Sequence, residues 1–205
     1  MRDQRIGIFG GTFDPIHLGH LIIAEEVRWK LSLEEVLFVP TGQPWLKGEA
    51  TISAAEHRLE MVLSATASNP YFSVSTIEIE RDGSSYSVET VAELKASLGA
   101  RAKLHFIVGQ DALAELPRWK NPRRLVELCQ VVAVGRPGHG MLDLDALEPS
   151  IPGASDRILL VDVPQIEISA TDIRRRVASG LSIRYLVPEA VEKYIAEQGL
   201  YIQGG

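Results

Sequence analysis

The sequence predicts an α/β fold with a parallel sheet, and three observations carry that expectation. Short runs rich in Val, Ile and Phe recur along the chain. Most are separated by segments with the three-and-four spacing of an amphipathic helix, the alternation of βαβ units. A chain of 205 residues that is 45% hydrophobic and 23% charged also has enough apolar side chains for the core such a sheet requires. With no repeat, low-complexity tract or clear linker, one domain over residues 1–205 is expected.

The strand candidates, in order, are "RIGIFG", "EVLFVP", "FSVSTIEI", "KLHFIVG", "QVVAVG" and "RILLVDV". Between the first two, Leu18, Leu21, Ile22, Ala24, Val27 and Leu31 recur at helical spacing, giving a helix that covers one face of the sheet. "SAAEHRLEMVLSA" places Ser53 and Glu56 in capping-box register, so a helix is predicted from Ser53, after the loop "PTGQPWLKGEATI". That loop is a candidate lid. His57 and Arg58 read as its neighbouring helix's solvated face. Further helices are predicted over 87–98, 121–128, 170–179 and 188–198, with "GRPGHGMLDLDALEPSIPGASD" as a Gly/Pro-rich connection.

A formal net charge of −6 argues against a general nucleic-acid-binding surface, because duplex affinity rests on Lys and Arg neutralising phosphates. Cys129, the single cysteine, lies in the apolar run "LVELCQVVAV" and reads as a buried thiol, so neither a disulfide frame nor a cysteine metal cluster is expected. The start "MRDQRIGIFGG" lacks the apolar core of a signal peptide, and no apolar run is long enough to span a bilayer. No membrane partner and a cytoplasmic address are therefore expected.

Ligands of parallel α/β sheets collect where strands end and helices begin, and the first strand ends at Gly10 and Gly11. Backbone N–H groups of that turn, aided by Thr12 and the next helix N-terminus, suit a phosphate. The turn lacks both the G-x-G-x-x-G fingerprint and the Gly-Lys-Ser/Thr of a P-loop. His17 and His20, three residues apart, share one helix face and can point at one phosphate. Zinc is a weaker reading, since further ligands are not evident and no Glu follows His17 as in a zincin helix. Asp14 reads as a turn-stabilising residue, because a carboxylate repels phosphate.

The string "GGTFDPIHLGH" resembles the signature of the HxGH nucleotidyltransferases. "ISATDIRRR" resembles that family's second phosphate-binding motif, and "RDGSSYSVETVAEL" and "VGQDALAELPRWKNPRRL" resemble the bacterial nicotinate mononucleotide adenylyltransferases in particular. The likeness runs nearly end to end, through "YLVPEAVEKYIAEQGLY". It implies a Rossmann-like parallel sheet of nucleotidyltransferase type with helices on both faces. It also implies transfer of the adenylyl group of ATP to nicotinate mononucleotide, giving nicotinate adenine dinucleotide and pyrophosphate in NAD biosynthesis, by direct attack without a covalent enzyme intermediate.

The site residues follow from that resemblance. His17, His20, Arg174 and Lys47 are the expected catalytic groups, acting on charge that builds on the α-phosphoryl oxygens and the leaving pyrophosphate. ATP falls to Gly10, Gly11, Thr12, Phe13, Gly109, Asp111, Ser169, Thr171 and Arg174. Phe13 is equally readable as core packing, and Asp111, taken alone, as a helix cap. Arg175 and Arg176 read as a solvated face. The mononucleotide falls to Ser87, Trp119, Lys120 and Arg136, with Trp119 stacking on the pyridine ring and backbone N–H groups around Ser87 and Lys120 receiving the carboxylate. Magnesium is implied as the carrier of ATP, with no protein ligand demanded. The chain departs from the family's habit at Ala170, where a second serine is common, and at Leu46, where a histidine is common. Homo-oligomerisation is left open. A regulatory module without turnover would keep the glycines while losing His17, His20 or Arg174, and all three are present; a metal-dependent hydrolase is the remaining alternative class.

Overall fold

The structure is a computed structural model that describes residues 3–44, 52–135, 144–164 and 166–202. The chain runs through β1 (Gln4–Gly11), α1 (Leu18–Lys30), β2 (Glu35–Pro40), β3 (Gln43–Pro44), α2 (Ala55–Thr66), β4 (Phe72–Val74), β5 (Ser84–Ser85) and α3 (Ser87–Leu98). It continues through β6 (Ala102–Gly109), α4 (Gln110–Ala114), α5 (Pro122–Leu128), β7 (Gln130–Gly135), α6 (Ala154–Arg157), β8 (Ile158–Asp162), α7 (Ala170–Ala178) and α8 (Glu189–Glu197). Six strands pair in the order β4-β2-β1-β6-β7-β8, every neighbour parallel. The α/β parallel sheet read from the sequence is therefore the one present. No helix among the described residues is long and apolar enough to cross a membrane.

Strand alternation decides which side chains meet which helices. Ile6, Ile8, Leu104, Phe106, Val131 and Ala133 face one way and pack with Val88, Val91 and Leu125 of α3 and α5. Phe9, Ile107, Val132 and Val134 face the other way and join Ala24, Val27, Met61, Val191 and Ile195 of α1, α2 and α8. Both faces of the sheet are thus covered, as a parallel sheet of near-continuous hydrophobic strands requires. β1 lies between β2 and β6, so the chain leaves it in one direction and returns on its other side. At that reversal a cleft opens at the carboxyl ends of β1 and β6.

Local expectations differ from the structure at four places. The end of the expected Gly/Pro-rich connection is helical, as α6 (Ala154–Arg157). The run "FSVSTIEI" keeps only Phe72–Val74 as strand, because the Ile79 and Glu80 N–H groups turn back onto the Thr76 carbonyl at 2.8 and 2.9 Å. α2 starts at Ala55 with Ala54 as its N-cap and no side-chain cap. The Ser53 amide donates instead to Asp14 Oδ2 at 3.3 Å, a tertiary partner that replaces the predicted capping box. Arg58, read as part of a solvated face, is 1% exposed.

Candidate active site

The signature loop after β1 is folded by its own aromatic ring. Phe13 adopts φ of 49° and turns its ring back over Gly11, where a Cβ would stand 3.0 Å from two ring carbons. The same ring is buried among Phe9, Phe38 and the edge of His20, so the Phe13 side chain belongs to the core. Gly10, Gly11 and Thr12 line a cavity of about 280 Å³.

The two histidines sit at the start of α1, which bears no acidic residue in its first turn. His17 is the N-cap, and its amide donates to His20 Nδ1 at 3.2 Å. The imidazoles stack with centroids 3.7 Å apart. Gly19 makes room for this, because a Cβ there would lie 3.1 Å from His17 Nδ1. Burial lowers His17 to about 4, and burial together with the adjacent His17 holds His20 well below the usual histidine range. Both rings are therefore neutral at pH 7. Because His20 Nδ1 accepts, the neutral ring carries its proton on Nε2, a hydrogen-bond donor. The capping box is completed by the His17 ring, which faces the His20 amide, and His17 Nδ1 is buried there.

α7 is brought against this loop by Arg174, whose Nη1 donates to the Asp14 carbonyl at 2.6 Å and whose Nη2 reaches Thr171 Oγ1 at 3.4 Å. Ser169 is the N-cap of α7, its Oγ receiving the Asp172 amide at 3.1 Å, which leaves the hydroxyl proton free to donate. Thr171 is exposed beside it. Arg175 pairs with Asp172, and Arg176 reaches the Ser182 carbonyl at 2.8 Å, as expected of a surface pair.

Among the described residues, the cavity lining includes neither histidine and no residue of α7; opposite the glycines it includes Ser87, which opens α3, whose N-cap Tyr86 supplies no side-chain cap, so the first N–H groups of a twelve-residue helix start at the cavity wall. Trp119 lines the same cavity, edge-on to Phe106 with centroids 6.1 Å apart. Its buried Nε1 has no partner among the described residues. Lys120 lies next to it with its ammonium 2.5 Å from Glu89 Oε1 and 4.1 Å from the Tyr86 ring centre, so the lysine side chain faces the surface of α3 and not the cavity. Gly109 lines the cavity from the end of β6 and caps α4, while Asp111 is exposed in that helix's first turn. The cap position is thus Gly109's. Lys47, Leu46 and Arg136 lie outside the described residues.

Sequence reading missed the groups that hold this site together. Arg58 is buried in α2, and its guanidinium donates to the carbonyls of Ser53 at 3.0 Å, Thr12 at 2.9 Å and Gly42 at 3.2 Å. Asp14, 4% exposed, accepts the Tyr201 hydroxyl at 2.7 Å as well as the Ser53 amide. Burial and the Asp14 carboxylate beside it push the Tyr201 hydroxyl far above the usual phenol range, so it remains a donor. A signal for Arg58 was present: it stands three, four and seven residues before Met61, Val62 and Ala65, all buried on the same helical stripe. His57 instead meets the Tyr194 hydroxyl at 2.9 Å.

With this geometry in place, a family model described as Cytidylyltransferase-like matches residues 8–176. A protein of Moorella thermoacetica named "Probable nicotinate-nucleotide adenylyltransferase" is 49% identical over 98% of this chain and 93% of its own length. One of Dehalococcoides mccartyi with the same name is 46% identical over 98% of each. The chain belongs to the cytidylyltransferase-like family, in its nicotinate-nucleotide adenylyltransferase group. The fold agrees: a Plasmodium falciparum nicotinic acid mononucleotide adenylyltransferase, solved with NaAD, superposes with a TM-score of 0.75 over 97% of both chains at 18% identity. This adenylyltransferase-group chain thus places its signature loop and its tryptophan on one cavity, the arrangement that an enzyme joining two nucleotides requires.

Proposed function

We propose that this protein, acting as one nucleotidyltransferase domain over residues 1–205, transfers the adenylyl group of ATP to nicotinate mononucleotide. The observation that carries the reading is the shared cavity: Gly10, Gly11 and Thr12 on one wall, Ser87 and Trp119 on the other. Relatives with nearly half their residues identical bear the matching name.

The mononucleotide's 5′-phosphate oxygen attacks the α-phosphorus of ATP in line. A new P–O bond forms, the bond to the bridging oxygen of the β-phosphate breaks, and pyrophosphate leaves with that electron pair. No proton must be removed from an ionised phosphate nucleophile, so catalysis is positioning and charge stabilisation. His17 and His20 donate N–H hydrogen bonds to the α-phosphoryl and leaving oxygens. Neutral donors suit a buried site, where an unpaired cation would be costly. The N-terminus of α7 with Ser169, Thr171 and Arg174 holds the outer phosphates, and Lys47 adds a cation from the lid. Gly109 and Asp111 receive the adenosine.

Trp119 stacks on the pyridine ring, while N–H groups at Ser87 and Lys120 take its carboxylate, with Arg136 on the mononucleotide's phosphate. A carboxylate is favoured at the open N-terminus of α3, where the helix dipole and free N–H groups converge. Magnesium fits as a cargo of ATP: the donors around the signature loop are N–H, hydroxyl and imidazole groups that suit phosphate oxygens, and the ion would be held through phosphates and water, neutralising their charge. Partners are ATP and nicotinate mononucleotide, with no nucleic acid or membrane, in the cytoplasm. The test is pyrophosphate release from ATP and nicotinate mononucleotide with the dinucleotide identified, repeated with chiral α-thio-ATP. Direct transfer inverts the α-phosphorus; retention would show a covalent intermediate.

A further inference from the structure

Glu78 stands out as a carboxylate on the wall of the proposed mononucleotide cavity, 7% exposed, beside Ser87 and Trp119. A buried negative charge facing a ligand that itself carries a carboxylate and a phosphate works against binding unless it does something else. Its hydrogen bonds say what. Thr90 Oγ1 donates to Glu78 Oε1 at 2.7 Å, and the Ser85 hydroxyl also bonds the carboxylate. Each hydroxyl is itself a receiver: Ser85 Oγ accepts the Gly42 and Gln43 amides at 3.2 and 3.3 Å, and Thr90 Oγ1 accepts Arg81 Nη1 at 3.1 Å. These residues span three pieces of the pocket. Gly42 and Gln43 open the loop of the candidate lid, Ser85 lies in β5 paired with β3, and Thr90 is in the first turn of α3.

We infer that Glu78 is a positioning residue for the mononucleotide pocket: its carboxylate is the acceptor on which the lid-side strand pair and the start of α3 are fixed around the bound ring. The inference rests on the function proposed above. The donor directions make the choice of Glu specific. Two amides point into Ser85 Oγ and a guanidinium points into Thr90 Oγ1, so each hydroxyl has its proton left to donate; the Glu78 carboxylate takes both, at 2.7 Å for Thr90 against 3.4 Å to the alternative Tyr86 carbonyl. Glutamine in its place aims an NH₂ donor at one of them.

The experiment is steady-state kinetics of Glu78→Gln and Thr90→Val beside the unsubstituted protein, with each substrate varied in turn and folding checked by thermal unfolding. Glu78→Gln is expected to raise KM for nicotinate mononucleotide about tenfold, the cost of one mismatched buried hydrogen bond, while KM for ATP stays within about twofold. Thr90→Val is expected to shift the same KM in the same direction by a smaller factor. A purely electrostatic role predicts the opposite sign, tighter mononucleotide binding once the charge is gone, and that result would overturn the inference. So would an unchanged mononucleotide KM in folded Glu78→Gln. If Glu78→Gln does not fold, Thr90→Val and Ser85→Ala decide by the same criterion. Absence of turnover in the unsubstituted protein would instead overturn the function on which the inference stands.

Discussion

At the scale of single residues, the proposed reaction uses His17 and His20 as neutral donors, since burial lowers the pKa of both rings and each disfavours charge on the other across the stack. Donors aimed at developing charge lower the barrier more than they tighten substrate, so His17→Ala or His20→Ala is expected to reduce kcat by about a hundredfold or more. KM for ATP should change far less. Steady-state kinetics of the two variants check this, and near-normal kcat in both would remove the histidines from the reaction. These residues were legible in the sequence because their chemistry is local: a strand end, glycines and two histidines at helical spacing fall within sixteen positions. Trp119 was legible for the same reason, as an aromatic in a Pro-flanked loop. Asp14 was read as a turn-stabilising residue, and its partners Ser53 and Tyr201, distant in sequence, were not legible.

Among elements, α2 acts as a brace. Through Arg58 it ties the signature loop at Thr12 to the segment at Gly42, and the same guanidinium closes onto Ser53 just before its own helix. Replacing it by methionine keeps the bulk but removes the donor from three half-buried carbonyls and takes one of two nearby cations from Asp14, the other being Arg174. Arg58→Met is expected to lower the unfolding free energy by about 3 kcal/mol, measured by denaturant titration, and to raise KM for both substrates. Loss of less than about 1 kcal/mol would show that the carbonyls find water instead. The longer helices (α1, α2, α3, α5, α7 and α8) and the strands of the six-stranded sheet were predictable from periodicity, which reports burial of apolar faces; the short α4 and α6 and the β3–β5 pair were not. The Ser53 cap and the long third strand were not, because each was decided by a contact that periodicity does not encode: Asp14 for Ser53, and the Thr76 carbonyl for residues 79 and 80. Arg58 broke the ordinary rule that a charged residue marks the wet face of a helix.

For the molecule as a whole, the buried histidines link stability to pH. His17 has a folded value of about 4 against an ordinary value of 6.5, and His20 is shifted the same way. Between those values the unfolded chain binds protons that the folded chain refuses, so stability falls as pH drops from about 6.5 toward 4. For His17 alone the full span is of the order of 3 kcal/mol. His17→Asn is expected to flatten that part of the stability profile, followed by denaturant midpoints across pH 4 to 7. An equally steep profile in the variant would assign the loss to other groups. The topological reversal between β1 and β6 also sets the signature loop and Trp119 on one cavity, which the proposed function assigns to two nucleotides. The measurement that bears most directly on that claim is kcat/KM for nicotinate mononucleotide and for its amide, each with saturating ATP, in one pyrophosphate-release assay. An amide turns an NH₂ donor toward the N–H groups at the start of α3, so the acid should be preferred by about a hundredfold or more. Equal values for the two would contradict a carboxylate pocket at Ser87 and Trp119.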